Sequence, residues 1–476
     1  MKTRTILLLA GVVLLAGCHP SGTKKSGFSD VTRIGNGKPV NVMLTAYSTT
    51  LLANGHDTAQ LRIALTDSLS REIGSAEDSV RIFAEGDARL IAPDGSVIPL
   101  KADTSGKMYA PCKLEKGICR LALVSGTVPG KIRVEARSGK LWPGAHEIHT
   151  LPADFVLLKP DQSQLPPTKK TIDRMIGADI SWLPELEEKG TKFFDGGQEK
   201  DAIVLLRDHG FNYIRLRVFV NPEHEKGYSP GKGFCGLGHT LEMARRINAA
   251  GMKLLLDFHY SDYWADPQQQ NKPLAWSGIG YEALKDSVRT YTARVLKALQ
   301  SQGTMPAMVQ IGNEINHGLL WPDGHIGNPD QLAGLLRAGV EGVESVDPGI
   351  PVMMHIALGG QHKEAIFWLD NMIARGVAFD LIGLSYYPRW HGTPDDLDAN
   401  LNDLVKRYHK PVNVVEYSDF KKTVHEIVFS LPDQTGKGAC IWEPLSPWSG
   451  LFDANGNTTS QISVYDSLKE IYLGER

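Results

Sequence analysis

Glu314 and Glu416 each close a short, mostly apolar run, Gln310-Ile311-Gly312-Asn313-Glu314 and Val412-Asn413-Val414-Val415-Glu416. Two carboxyl groups facing each other across a cleft are what cleavage of a glycosidic bond requires. One, kept protonated near neutrality, protonates the departing oxygen, while the other stays ionised and attacks the anomeric carbon. Arg215 and Arg217 stand two residues apart on a third run and share one face of a strand. An arginine beside the nucleophile favours its charged form. Asn313, preceding Glu314, can donate to a sugar 2-hydroxyl, an interaction that strengthens in an oxocarbenium-like transition state. Trp182, Trp264, Trp276, Trp321, Trp390, Trp442 and Trp448 fall at or just after the ends of such runs and offer flat apolar faces to sugar rings. Three or four of them are expected to face a ligand, and the others to pack helices.

These residues need a frame that brings them together. From position 171 the sequence alternates short apolar strands with amphipathic helices. Strand candidates cover 176–181, 213–219, 253–259, 308–313, 352–356, 381–386, 412–416 and 439–442; helix candidates cover 241–250, 281–300, 331–346, 365–374, 397–408 and 464–472. Repeated βα units demand a parallel sheet, and eight of them favour a closed (β/α)8 TIM barrel over 171–476, with its active site at the C-terminal strand ends. No Gly-x-Gly-x-x-Gly or Walker loop follows the first strand, which argues against nucleotide binding. No glycine-rich phosphate cradle follows the seventh or eighth strand. Arg217 and Asp257 have a competing structural reading as ion-paired braces of the barrel. Glu443 reads as a rim carboxylate without a catalytic part.

The preceding region has a different grammar. Residues 31–158 read as short period-2 runs, among them 39–44, 59–65, 79–84 and 131–136, which suggests an antiparallel sandwich. The phrases at 51–59 and 126–136 resemble immunoglobulin-like modules attached to bacterial carbohydrate enzymes. Only Trp142 of the nine tryptophans lies here, so the region is expected to be a spacer rather than an aromatic sugar-binding platform. A connector, 159–170, follows. Cys112 and Cys119 flank a plausible hairpin that an oxidising compartment would allow to be bridged, whereas Cys235 and Cys440 read as buried thiols; no spacing resembles a zinc site.

The N-terminus carries two positive charges and then an apolar run, a secretory signal over 1–17 that is too short to span a bilayer. It ends Leu15-Ala16-Gly17-Cys18, which resembles the bacterial lipobox. Cys18 is then expected to carry lipid, residues 18–30 to form a tether, and the protein to sit on the outer membrane, at the cell surface. With 51 Lys+Arg against 54 Asp+Glu, the net charge of −3 lacks the basic footprint that nucleic-acid binding needs.

The ordered phrases Gly177-Ala178-Asp179-Ile180-Ser181, Arg215-Leu216-Arg217-Val218-Phe219-Val220-Asn221-Pro222, Asp257-Phe258-His259-Tyr260-Ser261-Asp262-Tyr263-Trp264, Ile311-Gly312-Asn313-Glu314-Ile315, Ser385-Tyr386-Tyr387-Pro388, Val415-Glu416 and Trp442-Glu443-Pro444 together resemble glycoside hydrolase family 53, the endo-β-1,4-galactanases. The resemblance covers essentially all of 171–476. It implies a retaining hydrolase of β-1,4-galactan and type I arabinogalactan, with Glu314 as acid/base and Glu416 as nucleophile, their carboxyl groups about 5.5 Å apart. Arg215 and Asn313 take the supporting roles. The same resemblance puts Tyr386 against the nucleophile and Trp442 under the cleaved bond. Asp179, His259, Asp262 and Trp264 would shape the glycone side, and Trp321 would join the substrate-binding set. The bacterial family pattern has a long acidic, glycine-rich loop after the seventh strand that holds calcium. Here Glu416-Tyr417-Ser418-Asp419-Phe420 runs almost directly into a helix, so no calcium of that kind, no other metal and no cofactor are expected. The chain is expected to act as a monomer. Alternatives are a retaining glycanase for mannan, xylan or another β-glycan, and a non-catalytic glycan-capture lipoprotein.

Overall fold

The computed structural model describes residues 35–474 other than 36, 77 and 166. The signal segment, Cys18 and the tether lie outside the described residues.

Strand alternation builds the N-terminal sandwich. One sheet has four strands, in the order Asn41–Ala46, Thr58–Thr66, Ile118–Ser125, Ala88–Ile91; the other has six, Thr50–Leu52, Gly144–Leu151, Gly130–Arg137, Ser79–Glu85, Met108–Lys113, Lys101–Ala102. Inward residues such as Leu44, Leu61, Ile63, Val80, Ile82, Ile132, Val134 and Ile148 form its core. All pairings are antiparallel except that of Gly144–Leu151 with Thr50–Leu52. Cys112 and Cys119 are disulfide-bonded. They flank a tight antiparallel turn at 115–118, as expected, and because Cys112 lies in the six-stranded sheet and Cys119 in the four-stranded one, the bond also ties the two sheets together.

The C-terminal part is a closed barrel of eight parallel strands: β1 (Met175–Asp179), β2 (Tyr213–Val218), β3 (Lys253–Phe258), β4 (Met308–Ile311), β5 (Val352–Ile356), β6 (Leu381–Tyr386), β7 (Val412–Tyr417) and β8 (Gly436–Trp442). Each strand reads as a nearly continuous apolar run because both faces are covered. The outward residues, including Ile214, Leu256, Val309, Ile382 and Leu384, pack under the helices. The inward residues at the bottom, Met175, Tyr213, Leu255, Met308, Met353, Leu381, Val415 and Cys440, fill the barrel with a small apolar plug. One or two pleats higher on the same inner face stand Asp179, Arg215, Asp257, Gln310, His355 and Ser385, all buried. Period-2 geometry thus carries each strand from an apolar floor to a polar rim.

Strand β7 departs from that geometry. Val414 pairs with Leu384, but Glu416 pairs with Ser385, the next residue on β6, so Val415 is an extra residue in β7. Val415 joins the apolar plug and Glu416 also faces inward, in succession. Strict alternation from Asn413 would have sent Glu416 out to the helices. The bulge re-aims it into the barrel mouth.

The expected spacer is instead docked on the barrel. Thr49 and Thr50 donate their hydroxyls to the buried Glu364 carboxylate, at 2.7 and 2.9 Å, from the sandwich to the helix His362–Ala374. Tyr47 Oη donates to Asp396 at 3.1 Å, and the ring nitrogens of His149 and His325 lie 3.0 Å apart. Leu151 belongs to the barrel's own core. The connector is pinned too, with Lys170 Nζ 2.8 Å from the carbonyl of Ile350 and 3.0 Å from Asp380.

Candidate active site

Arg215 is the hub of the barrel mouth. Its guanidinium donates to Asp179 and Asp257 at 2.8 Å each, to Glu416 at 2.7 Å, to Asn313 Oδ1 at 2.8 Å and to Gln310 Oε1 at 3.2 Å. A planar fork with five donors suits this arrangement, where an ammonium would not. Glu416 also accepts a hydrogen bond from Tyr387 Oη at 3.0 Å.

Glu314 stands on the turn after β4. Gly312, at φ +79°, lets the chain leave the strand, and Glu314 itself takes the left-handed region at φ 49°, ψ 52°. A non-glycine residue held there carries strain that the surrounding structure must enforce, a feature that clusters at functional sites. Ser385 Oγ donates to Glu314 Oε1 at 2.6 Å. That hydroxyl lies 2.8 Å from His355 Nε2. With the Ser385 proton on Glu314, Nε2 is the donor of the His355–Ser385 contact, while Nδ1 lies 3.1 Å from Gln310 Nε2 and 3.0 Å from Asn313 Oδ1. Burial, and after it the charge of Arg215, holds the His355 imidazole well below its usual range, so it is neutral.

The two carboxyl groups are electrostatically distinct. Burial, and after it the charge of Glu416, pushes Glu314 well above the usual carboxylate range. Burial also raises Glu416, but Arg215 in direct contact pulls the other way. The proton therefore resides on Glu314 and the charge on Glu416, the division of labour that acid-assisted nucleophilic displacement needs.

The cleft above the pair encloses about 420 Å³. Arg215, Arg217, His259, Trp264, Asn313, Glu314, Tyr387, Trp390, Glu416 and Trp442 line it, so three tryptophans face the cleft. Trp182 packs edge-on against Trp442 at 5.3 Å, and the Arg217 guanidinium sits 4.3 Å from the Trp264 ring. His259 Nε2 lies 3.0 Å from Asp257. Arg217 pairs with Glu443 at 2.8 Å. Glu443 is fully buried rather than on the rim.

Four expected site residues stand elsewhere. The hydroxyl on the nucleophile belongs to Tyr387, not Tyr386; Tyr386 points outward from β6 and donates to the carbonyl of Gly392 at 3.2 Å. The parity of Leu381, Gly383 and Ser385, all inward, puts residue 387 inward and 386 outward. Asp179 lies below the cleft, fully buried against Arg215 and Ser181. Asp262 ties two loops together by accepting from the amides of Asn221 and Leu274, at 2.9 and 2.8 Å. Trp321 stacks on the sandwich, its ring 5.7 Å from that of His149. Asn313, Arg215, His259, Trp264 and Trp442 line the cleft.

His355 and Gln310 were not singled out, although both hold the pair in place. The signal was available: each is a polar residue on the inward parity of an otherwise apolar strand. Thr49, Ala145, His146 and Glu147 also line the cleft. They come from the sandwich, and nothing local in their sequence marks them.

The chain matches the sequence profile of glycosyl hydrolase family 53 over residues 175–429, and that of glycoside hydrolase family 2 C-terminal domain 5 over 42–146. It is 33% identical over 249 residues to an endo-β-1,4-galactanase of Bacillus subtilis, a match covering 52% of this chain and 57% of that protein, so the chain spans less than two thirds of that relative. It is 32% identical over 336 residues to an arabinogalactan endo-β-1,4-galactanase of Humicola insolens, covering 61% of this chain and 98% of that one. Among solved structures, the family 53 catalytic domain of Ignisphaera aggregans superposes with a TM-score of 0.58 at 33% identity, over 63% of this chain and 98% of that one.

Proposed function

The chain belongs to glycoside hydrolase family 53, and we propose that it hydrolyses internal β-1,4-galactosidic bonds of galactan and type I arabinogalactan with retention of configuration. The observation that carries the reading is the asymmetry of the pair: Glu416 in contact with Arg215 and Tyr387, and the Glu314 carboxyl group with, among the described residues, only the Ser385 hydroxyl as its near partner. Glu416 attacks the anomeric carbon while Glu314 gives its proton to the departing oxygen. A galactosyl ester on Glu416 forms and the glycosidic bond breaks. Glu314, now ionised, takes a proton from water as that water attacks the ester, and Glu416 leaves as carboxylate. Asn313 Nδ2 already donates to the carbonyl of Ala265 at 2.9 Å, and its second hydrogen remains for the sugar 2-hydroxyl. Trp442 provides the apolar floor.

The Leu15-Ala16-Gly17-Cys18 phrase supports export with lipid on Cys18, which would hold the enzyme at a membrane where polymer arrives from outside. Metabolic labelling with a fatty-acid probe, lost in Cys18→Ser, tests the anchor; protease accessibility on whole cells tests the face.

The activity is tested on protein lacking residues 1–18, offered linear β-1,4-galactan, β-1,3-galactan, mannan and xylan. A ladder of galacto-oligosaccharides from the β-1,4-linked polymer alone, with β-anomers as first products by proton NMR, is the expected result. Cleavage of mannan or xylan instead discards the substrate, and α-anomers discard the retaining mechanism.

A further inference from the structure

The sandwich does not merely abut the barrel; it closes one end of the cleft. Its contacts near the cleft fall on segments that follow β4, β5 and β6, with one further bond to the loop after β7 from Ser70 to Asp419: Thr49 Oγ1 lies 3.0 Å from His317 Nε2, His149 stacks on His317 at 4.0 Å, and Arg389 donates to the carbonyl of Pro143. Trp442, on β8 beside Glu416, stands across the mouth from those loops. In the galactanase reading, on which this inference rests, the sugar attacked by Glu416 lies on Trp442 and the departing oxygen faces Glu314. The leaving chain must then run from Glu314 away from Trp442, toward the loops the sandwich covers.

We infer that the sandwich builds the leaving-group end of the cleft, with Glu147 as a hydroxyl-accepting residue for the galactose unit beyond the cleaved bond and Ala145 and His146 as the wall behind it. Glu147 is partly exposed at 26% of its side chain, held by Lys131 at 2.7 Å and His149 Nε2 at 3.1 Å, so its carboxylate is fixed at the cleft edge with lone pairs left over. His146 is a rigid neighbour: its Nε2 lies 3.0 Å from the carbonyl of Leu44, and burial keeps it neutral, its pKa pushed down to about 4. The small side chain of Ala145 leaves room in the cleft that a larger one would fill. Specificity for the departing chain is thus set by a domain outside the catalytic barrel.

Reducing-end-labelled galactohexaose reports which bond is cut, because the labelled fragment is the one that occupied the leaving-group side. In the full-length protein, Glu147→Met and Ala145→Trp are expected to shift the main cut toward the reducing end. They are also expected to lower the ratio of kcat/KM for galactotetraose to that for an aryl β-1,4-galactobioside by about fivefold, the size of one lost hydrogen bond. Glu147→Met keeps the length of the side chain while removing both accepting oxygens, and a thermal melt separates lost binding from misfolding. Wild-type protein that cuts galactohexaose, with both variants folded and giving an unchanged cleavage pattern and an unchanged ratio, overturns the inference. Wild-type protein that cuts no galacto-oligosaccharide overturns the galactanase reading itself.

Discussion

Tyr387 Oη donates to Glu416 Oε2 at 3.0 Å, on the side of the carboxylate away from Arg215, whose guanidinium holds Oε1 at 2.7 Å. Both oxygens of the nucleophile are therefore fixed before substrate arrives. A hydrogen bond to a charged group is worth more than a neutral one, so Tyr387→Phe should lower kcat by about tenfold or more with KM little changed. Tyr386→Phe provides the contrast. It loses only the buried bond to the carbonyl of Gly392, and should cost about 1 kcal/mol of stability while kcat holds. Steady-state kinetics and thermal melts of the two single variants decide it. Equal losses of kcat would remove Tyr387 from the site.

The acid and the nucleophile should fail differently. Glu314→Gln is expected to lower kcat on galactan by about 10²–10⁴, the usual range for general acid–base catalysis, with a smaller loss on aryl galactobiosides whose leaving group needs no proton. Glu416→Ala should be inactive on both, and azide should restore turnover of the aryl substrate, giving the α-galactosyl azide. Azide rescue of Glu314→Ala to a β-azide is the complementary outcome. Exchanged product configurations would reverse the two roles.

Arg215 is braced by three carboxylates, and removing it leaves them buried together with only Arg217, 3.5 Å from Asp179, as a neighbouring arginine. Arg215→Met should cost about 3–5 kcal/mol and abolish activity, as expected when one partner of a buried ion pair is deleted. Arg215→Lys keeps the charge but not the fork, so it should recover part of the stability and little of the rate. Chemical denaturation alongside initial rates checks both.

Acid should loosen the junction between the domains. His146 and His325 are half-buried against it, and desolvation pushes each down to about 4 from an ordinary 6.5. His391, in the same wall, is pushed down to about 3 by burial and by His146. Between pH 6.5 and 4 the unfolded chain binds protons that the folded chain does not, so stability is fully present above about 6.5 and falls as the pH drops. Each fully titrating histidine adds up to about 1.4 kcal/mol per pH unit to that slope. Melting temperatures measured from pH 7.5 to 4.5 should fall, and His325→Gln should flatten the fall. A slope unaltered in His325→Gln would take that residue out of the account.

The barrel was legible because its strands are near-continuous apolar runs with polar C-terminal ends, and all eight appear within a few residues of where the sequence placed them. Glu314 and Glu416 were legible as the acids closing two of those runs. What failed was parity. Tyr386 was favoured over Tyr387 although Ser385 already fixed the inward face, and His355 was passed over in a strand where a histidine on the inward parity has only the site to serve. Asp262 and Trp321 have the residue types of a sugar cleft, but their side chains knit loops and the domain junction. The docking of the sandwich was beyond local reading, since Thr49 and Glu364 meet through folding alone, and a threonine followed by a threonine carries no sign of a buried carboxylate partner.

The additional residue at Val415 makes strand β7 behave like a reading frame. Deleting Val415 would restore strict even–odd alternation and leave Glu416 directly after Val414, opposite Ser385 and still facing inward. Straightening the strand at its full length would instead turn the nucleophile toward the helices. Active relatives should therefore carry either the extra residue together with its bulge or neither.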